Sequence, residues 1–513
     1  MMAEPPWEDT VRCFSLIFLS LILLPVSGLV VCICLLVLKI APHLQPRSRP
    51  KDEEPNEATR RIILVTGVGM SKGLNLARSF YLSGHRVIGA DFETHNAPCS
   101  GRFSRSLSTF YRLPEPNTDE GRKLYIECLT QIINAEKADL WVACSGVASA
   151  VEDAQAKEII EQDAKCKCIQ FDVRTTSTLH EKSSFTDECK RLGLPVPETH
   201  EVKSQRDVLR VLSKARSRRK FILKPVGMDD RNRGDMTLLP LPSDAKTKDH
   251  VSQLPITKSS PWILQQFIPG GEEYCTHALV VRGEVKCFVA CPSAELLMRY
   301  EALPHDSALW KSMLAFTMEF VQNAPRPEAM TGHLSFDFMA SEGTPSQNGF
   351  AKNIYAIECN PRAHTAVVLF ARHGPEMEAM VRAYLSALQL DGKGMVGTHV
   401  DGIGSTGLLK GFLVTPPKDS RPRYWIGHDL VSLFLHPALK WGQGLIGFRH
   451  FTATALEFSR HLLFWKEGTF EVWDPFPAFC LYHVVWPMMI LSAWWKKQQW
   501  SRINVSTTKM FTC

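Results

Sequence analysis

Asp337, Glu358, Asn360 and Arg362 stand in two short segments, GHLSFDFMA and NIYAIECNPRAH, joined by a polar insert rich in Gly, Ser and Asn. Both segments alternate apolar and polar residues between turn formers, which predicts an antiparallel hairpin. A midpoint at Gln347–Asn348 sets Asp337 directly opposite Glu358. Like charges that face each other across a sheet destabilise it unless something sits between them. Glu358, Asn360 and Arg362 are spaced by two, so an extended strand turns all three to one face. Two carboxylates and an amide oxygen are hard ligands that suit Mg²⁺, with phosphate oxygens completing the shell. An adjacent guanidinium grips a phosphate at two points. The same pattern also reads as a solvated polar face carrying two acids. What decides is whether the rest of the chain supplies a nucleotide site.

The elements around this pair must come from a chain of 513 residues, long enough for two or three domains. It is 45% hydrophobic and 22% charged, the composition of a folded protein. The net charge of +6 is spread without a long basic block, which argues against nucleic acid as a partner. The 15 cysteines contain no CxxC and build no zinc framework, so they read as reduced thiols facing a cytosol.

The N-terminus departs from this soluble composition. Cys13 to Leu38 is 26 residues without a charge, enough to cross a bilayer as one tilted helix. Acids precede it, and Lys39, Arg47, Arg49 and Lys51 follow, so the positive-inside bias puts the main body in the cytoplasm. Pro25 and Gly28 split the run, and a helical hairpin dipping into one leaflet is the alternative. A cleaved signal peptide fits less well, because the leader is acidic and the apolar run too long.

The predicted organisation is α/β followed by α+β. Residues 1–40 are the membrane segment and 41–60 a Pro-rich charged linker. RIILVTG, a helix over Leu74–Leu82 and RVIGAD then form a parallel β-α-β unit that opens a domain over 61–175. Gly67, Gly69 and Gly73 with Asp91 resemble a dinucleotide fingerprint but are spaced one residue too long, and tight-turn glycines are an equal reading. A second module over 176–390 holds a helix with Lys182, a strand FILKP ending near Lys224, a hinge at Gln265–Ile268, the acids Glu272 and Glu273, and the hairpin. Residues 391–513 form an extension. Its apolar segment after Asp474 is interrupted by Pro475, Pro477, His483 and Pro487, so an interfacial or core-packed helix is expected. The sequon at Asn504–Val505–Ser506 reads as chance on a cytosolic face.

Binding ATP·Mg²⁺ for phosphoryl transfer needs lysines on the phosphates, donors for adenine, an acid for ribose and carboxylates for magnesium. Lys182, Lys224, Gln265–Ile268, Glu273 and the acidic hairpin supply these in that order, and no Walker or kinase signature occurs. This order resembles the ATP-grasp superfamily over residues 176–390, with [DE]…E-x-N-P-R at Asp337, Glu358, Asn360 and Arg362. The resemblance implies a two-lobed ATP-grasp module behind a Rossmann-like preATP-grasp domain, which gives Gly67, Gly69, Gly73 and Asp91 turn and packing roles. It implies ATP bound through Lys182, Lys224, Gln265, Gln266, Phe267, Ile268 and Glu273. Two Mg²⁺ would be held by Asp337, Glu358 and Asn360, with Arg362 as the catalytic residue. The Gly-rich lid of many members is replaced by KPVGMDDRNRGDM, where Arg231 and Arg233 read as phosphate contacts or as solvated charges.

PWILQQFIPGGEEYCTHALVVRGEV, AIECNPRAHTA, YWIGHDL and WSRINVSTTK look like the ATP-grasp ligases of mycosporine biosynthesis, mycosporine-glycine synthase among them, and like relatives in fungal specialised metabolism. The resemblance implies an ATP-dependent carbon–nitrogen ligase. A carboxylate or enolate would be phosphorylated and then attacked by an amine or amino acid, both small molecules. The same chemistry on an alkaloid or peptide precursor is the nearer alternative, and a non-catalytic membrane-bound nucleotide-binding scaffold the more distant one. An NAD(P)-dependent oxidoreductase rests on the first glycine turn alone. His277 and His364, near the hinge and the NPR element, read as proton acceptors or as structural histidines.

Overall fold

The computed structural model describes residues 6–41, 60–94, 97–146, 149–214, 219–225, 236–293, 298–341, 353–371, 373–389, 413–504 and 509–512. Most of the linker, Gly227 to Gly234 of the lid segment, the hairpin tip at Gln347–Asn348 and the Val505–Ser506 part of the sequon lie outside them. Sheets of both kinds are present, a parallel one at the front of the chain, antiparallel ones behind it, and a short parallel pair, Arg423–Tyr424 with Lys466–Glu467, near its end.

The first sheet is parallel and five-stranded. Its order is Thr109–Arg112, Arg86–Asp91, Ile62–Thr66, Leu140–Val142, Lys167–Ile169, so the strand order reverses at Ile62–Thr66. Its three inner strands are apolar on both faces, Ile63, Val65, Val87, Leu140 and Val142 on one and Leu64, Ile88 and Trp141 on the other, because helices cover both. The helix after the first strand runs Ser71–Leu82, three residues earlier than the sequence suggests. It begins at once because the turn before it is tight. Gly67 takes φ +71°, and a Cβ on Gly73 would lie 2.3 Å from the Gly67 carbonyl oxygen. Gly69 donates its amide to Asp91 Oδ2 at 2.7 Å. The glycines and Asp91 therefore close the turn on itself.

A three-stranded antiparallel sheet follows, ordered Thr199–Val202, Trp262–Gln266, Phe221–Pro225. Behind it comes a four-stranded antiparallel sheet, ordered Glu284–Pro292, Glu272–Val281, Gly332–Ser341, Asn353–Asn360. Period-two alternation in Glu272–Val281 sends Tyr274, Ala278 and Val280 to one face, packed with Phe185, Phe316 and Phe320. Cys275, Leu279 and Val281 go to the other, with Leu76 and Phe80 of the first domain and the Val367–Phe370 turn. The large sheet is thus held directly against the first domain's central helix.

The C-terminal extension straps the two together. Trp425 lies against Gly468 and donates Nε1 to Ser71 Oγ at 2.9 Å. Arg78 and Asp474 form a fully buried ion pair, Nε to Oδ2 2.9 Å. Asp474 also accepts from Ser104 Oγ and the Arg105 amide, and Arg78 donates to the Thr469 and Asp474 carbonyls. Removing one partner of such a pair strands a buried charge, which costs about 3–5 kcal/mol. Asp474→Asn is therefore expected to lower the thermal midpoint markedly, whereas exposed Glu120→Gln stays within about 0.5 kcal/mol of wild type.

The N-terminal segment is one helix, Pro6–Ile40, about 50 Å long, and it runs through Pro25 without a break. The hairpin alternative is therefore not what the backbone adopts. Nor does the helix stand away from the body. Cys13, Val31, Cys34 and Leu38 are buried, while Phe18, Leu21, Leu29, Ile33 and Leu36 are exposed. Its first half runs antiparallel to the helical stretch Phe476–Trp495. Ser20 Oγ donates to the Tyr482 carbonyl at 3.0 Å, and Phe14 meets Trp494 edge-on at 5.0 Å. Both stretches are long and apolar enough to cross a membrane, by length and composition.

Candidate functional site

Asp337 and Glu358 pair directly across the Gly332–Ser341 and Asn353–Asn360 strands. The register shifts just beyond them, so that Phe338 faces Ala356 and Ile357 is the extra residue of a bulge. On its other side Asp337 faces Cys275. Glu273, two residues before Cys275, shares that face, whereas Glu272 is exposed and accepts from the Tyr274 hydroxyl. Asn360 donates Nδ2 to Asp337 Oδ2 at 3.1 Å. Lys182 opens the helix Lys182–Arg191 and is not in a helix interior; its Nζ lies 3.0 Å from Glu358 Oε2. The cost of gathering these acids falls on Asp337. Burial, then the fields of Glu358 and Glu273, push its carboxyl up to about 8, against Arg362 and Lys182.

This donor set fits one class of cation. Among the described residues no cluster of three or more His, Cys, Asp or Glu is arranged to hold a metal. Two carboxylates and an amide fall short of an all-protein cage. They are the ligand complement of Mg²⁺ that takes its remaining oxygens from phosphates and water.

Arg362 departs from the expected strand. The strand ends at Asn360, and the Arg362 amide donates back to the Asn360 carbonyl at 2.8 Å, so the alternation by two stops before the arginine. Its Nη1 is buried with no hydrogen-bond partner among the described residues. Burial pulls its pKa down, and Glu358 and Asp337 pull it back up. A buried guanidinium N–H without an acceptor, beside two acids, is a place for an anion.

The other expected contacts lie on the three-stranded sheet. Lys224 is half-buried with Nζ 3.1 Å from Gln265 Oε1. Gln265 is buried in the central strand. The Gln266 and Phe267 amides donate to the Glu198 and Lys220 carbonyls, so Ile268 is the first hinge residue whose amide reaches no backbone acceptor among the described residues. From Ile268 the chain turns through Gly270, φ +62°, into Glu272–Val281. A Cβ on Gly271 would meet Met339 Cε at 2.8 Å, so the turn lies against the acidic strand. The structure thus brings Lys182, Glu273, Asp337, Glu358, Asn360 and Arg362 together, with Lys224 and Gln265–Ile268 at the adjoining sheet.

One residue escaped the sequence reading. Lys72, in the first turn of the helix Ser71–Leu82, is 2% exposed and donates Nζ to the Ala363 carbonyl at 2.9 Å and the Ser145 carbonyl at 3.5 Å. Burial, then the charge of Arg362, pull its pKa down to about 7, opposed by Cys144, Asp153 and Asp91. It clamps the residue after Arg362. The available signal was a lysine on the i, i+3, i+4, i+7 stripe Lys72–Asn75–Leu76–Ser79 of an otherwise buried helix.

The histidines hold structure. His277 Nδ1 accepts from the His364 amide at 3.3 Å, and His364 Nδ1 accepts from the Ala366 amide at 3.2 Å. With Nδ1 an acceptor in each, Nε2 carries the hydrogen. Burial drives His277 far below the usual range and His364 to about 3. Neither takes up a proton near neutral pH.

No family model matches the chain, and no curated protein matches it. Solved structures are similar at low identity. The N5-carboxyaminoimidazole synthetase of Staphylococcus aureus complexed with ADP is 14% identical, over 63% of this chain and 76% of that one, with a TM-score of 0.45. The L-amino acid ligase of Bacillus licheniformis is 13% identical, over 64% and 75%, with a TM-score of 0.44. The biotin carboxylase of Campylobacter jejuni in its beta-gamma-ATP complex is 14% identical, over 65% and 72%, with a TM-score of 0.46.

Proposed function

We propose that the chain is a membrane-associated ATP-grasp ligase that forms a carbon–nitrogen bond. The observation that carries this reading is the convergence of Asp337, Glu358, Asn360, Glu273 and Lys182 beside the unpartnered Nη1 of Arg362. A scaffold that only held a nucleotide fold would gain nothing from burying that guanidinium next to a carboxylate pair.

In this reading ATP lies between the two antiparallel sheets. The base is read from Ile268 onward, Glu273 takes the ribose, and Lys224 and Lys182 neutralise phosphates. Lys182 leaves Glu358 to do so, and both side chains are partly exposed. Asp337, Glu358 and, with its carboxamide turned over, Asn360 would hold magnesium, two ions by resemblance. Held by these residues, magnesium would supply positive charge that offsets the charge passing to the leaving ADP. Arg362 donates Nη1 to the transferring phosphoryl group, and Lys72 fixes the turn that aims it. A carboxylate or enolate oxygen takes the γ-phosphoryl group, ADP leaves, the amine attacks the activated carbon and inorganic phosphate departs. The amine's proton passes to water or phosphate, because both nearby imidazoles are held neutral with Nε2 protonated. The acceptor is a small acid or enol and the second substrate an amine or amino acid, in a mycosporine-like or related specialised pathway. The body faces the cytoplasm by the charge bias around the N-terminal helix.

The test is ADP release by the full-length protein in detergent against panels of acids, enols and amines. The full chain is needed because Cys13 packs with Leu481, Val485 and Met489. Release that requires one acid or enol together with one amine is expected. ATP binding with no release on any pair would favour the scaffold.

A further inference from the structure

The C-terminal extension contains an antiparallel helical hairpin that projects from the body. One arm runs Ile426 to Gly442 as α, π and α turns, and the other is Phe448–Phe464, about 25 Å long. The root is fixed. Asp429 accepts from His461 Nδ1 at 2.6 Å, and Arg299 reaches Glu457 at 2.7 Å. His428 and Gly427 lie against Trp486 of the Phe476–Trp495 stretch. Toward the tip nothing among the described residues covers the arms. Trp441 stacks on Phe451 and Phe434 meets it at a tilt, yet Leu439, Leu445, Phe448 and Leu456 are exposed, Leu445 and Leu456 to 70%. An apolar hairpin with only internal ring contacts does not face water by preference.

We infer that the hairpin tip, Leu439–Phe448, inserts into the interfacial layer of an anionic bilayer as a second attachment point beside the N-terminal helix. This rests on the membrane reading above. Charge favours lipid as the occupant. From Leu430 to Leu456 there is no acid, while Lys440 and Arg449 flank the tip, the pattern of an interfacial element on acidic headgroups. The tip aromatics and leucines supply the depth, with Lys440 and Arg449 long enough to reach the headgroups. Continuity favours it too. The N-terminal helix lies on Phe476–Trp495, whose Leu491 and Trp495 are exposed, and the hairpin root lies on that same stretch. A second copy of the chain fits less well, because a two-fold pairing of tips sets like charges against each other.

The full-length protein is reconstituted in vesicles of phosphatidylcholine and phosphatidylserine carrying a photoactivatable acyl chain, and labelled peptides are mapped. Label in 439–448 as well as 6–40 is expected, and Leu445→Asp with Phe448→Asp should cut the tip label about tenfold or more while leaving that of 6–40 unchanged. Label in 6–40 with none in 439–448 overturns the hairpin inference and leaves the membrane reading standing. Label in neither overturns both. A photo-crosslinker at position 445 that captures a second copy in place of lipid overturns the choice of occupant.

Discussion

Glu358→Gln is expected to reduce ATP-dependent turnover about 10³-fold, the scale of losing a preorganised charge at a phosphoryl-transfer site. The substitution keeps size and strand pairing but removes one of two facing charges. Its effect on the folded protein has the opposite sign. Asp337 is held at about 8, so between its ordinary value near 4 and pH 8 the folded state retains a proton that the unfolded chain has lost. Without divalent cations this group's stabilising contribution is full below pH 4 and is lost as pH rises through 8. Glu358→Gln removes the nearest repelling charge and should flatten that decline, with loss of the Lys182 contact a small offset at a partly exposed pair. Mg²⁺ should raise the wild-type thermal midpoint at pH 8, where the proton on Asp337 is readily displaced, and leave the variant almost unmoved. Equal Mg²⁺ responses, or unchanged turnover, would remove the metal assignment.

Lys72→Met should separate stability from activity even more plainly. The lysine is buried with its pKa drawn down to about 7, so below that pH folding carries a charged amine into an apolar interface. The folded state binds fewer protons than the unfolded chain between 7 and the ordinary lysine range. The penalty is complete below pH 7 and fades as pH climbs toward 10.5. Methionine fills similar volume without charge, so the variant should be more stable than wild type by on the order of a few kcal/mol at pH 6, and by less at pH 9. Loss of the clamp on the Ala363 carbonyl should loosen Arg362 and lower kcat with little change in the KM for ATP. Lys72→Arg, which cannot become neutral, should fail on both counts. A Lys72→Met enzyme with wild-type kcat would show that the buried amine serves packing alone.

The acidic pair was legible because strand pairing obeys a period of two and a hairpin is nearly symmetric about its tip, so Asp337 and Glu358 meet from spacing alone. Spacing did not show the bulge at Ile357 or the turn that takes Arg362 off the strand, because both depend on the surface the strand end must meet. It also left the N-terminal helix as an isolated apolar run, since hydropathy records which residues avoid water and not which partner covers them. The sequence alone determined the local elements, the order in which Lys182, Lys224, Gln265–Ile268, Glu273 and the acidic hairpin follow one another, and the facing of two carboxylates. Only the tertiary structure decided that Lys72 stands behind Arg362 and that the N-terminal helix docks on the extension. Both contacts join segments hundreds of residues apart, and the burial that sets their chemistry exists only once the first domain's helix has packed against the large sheet.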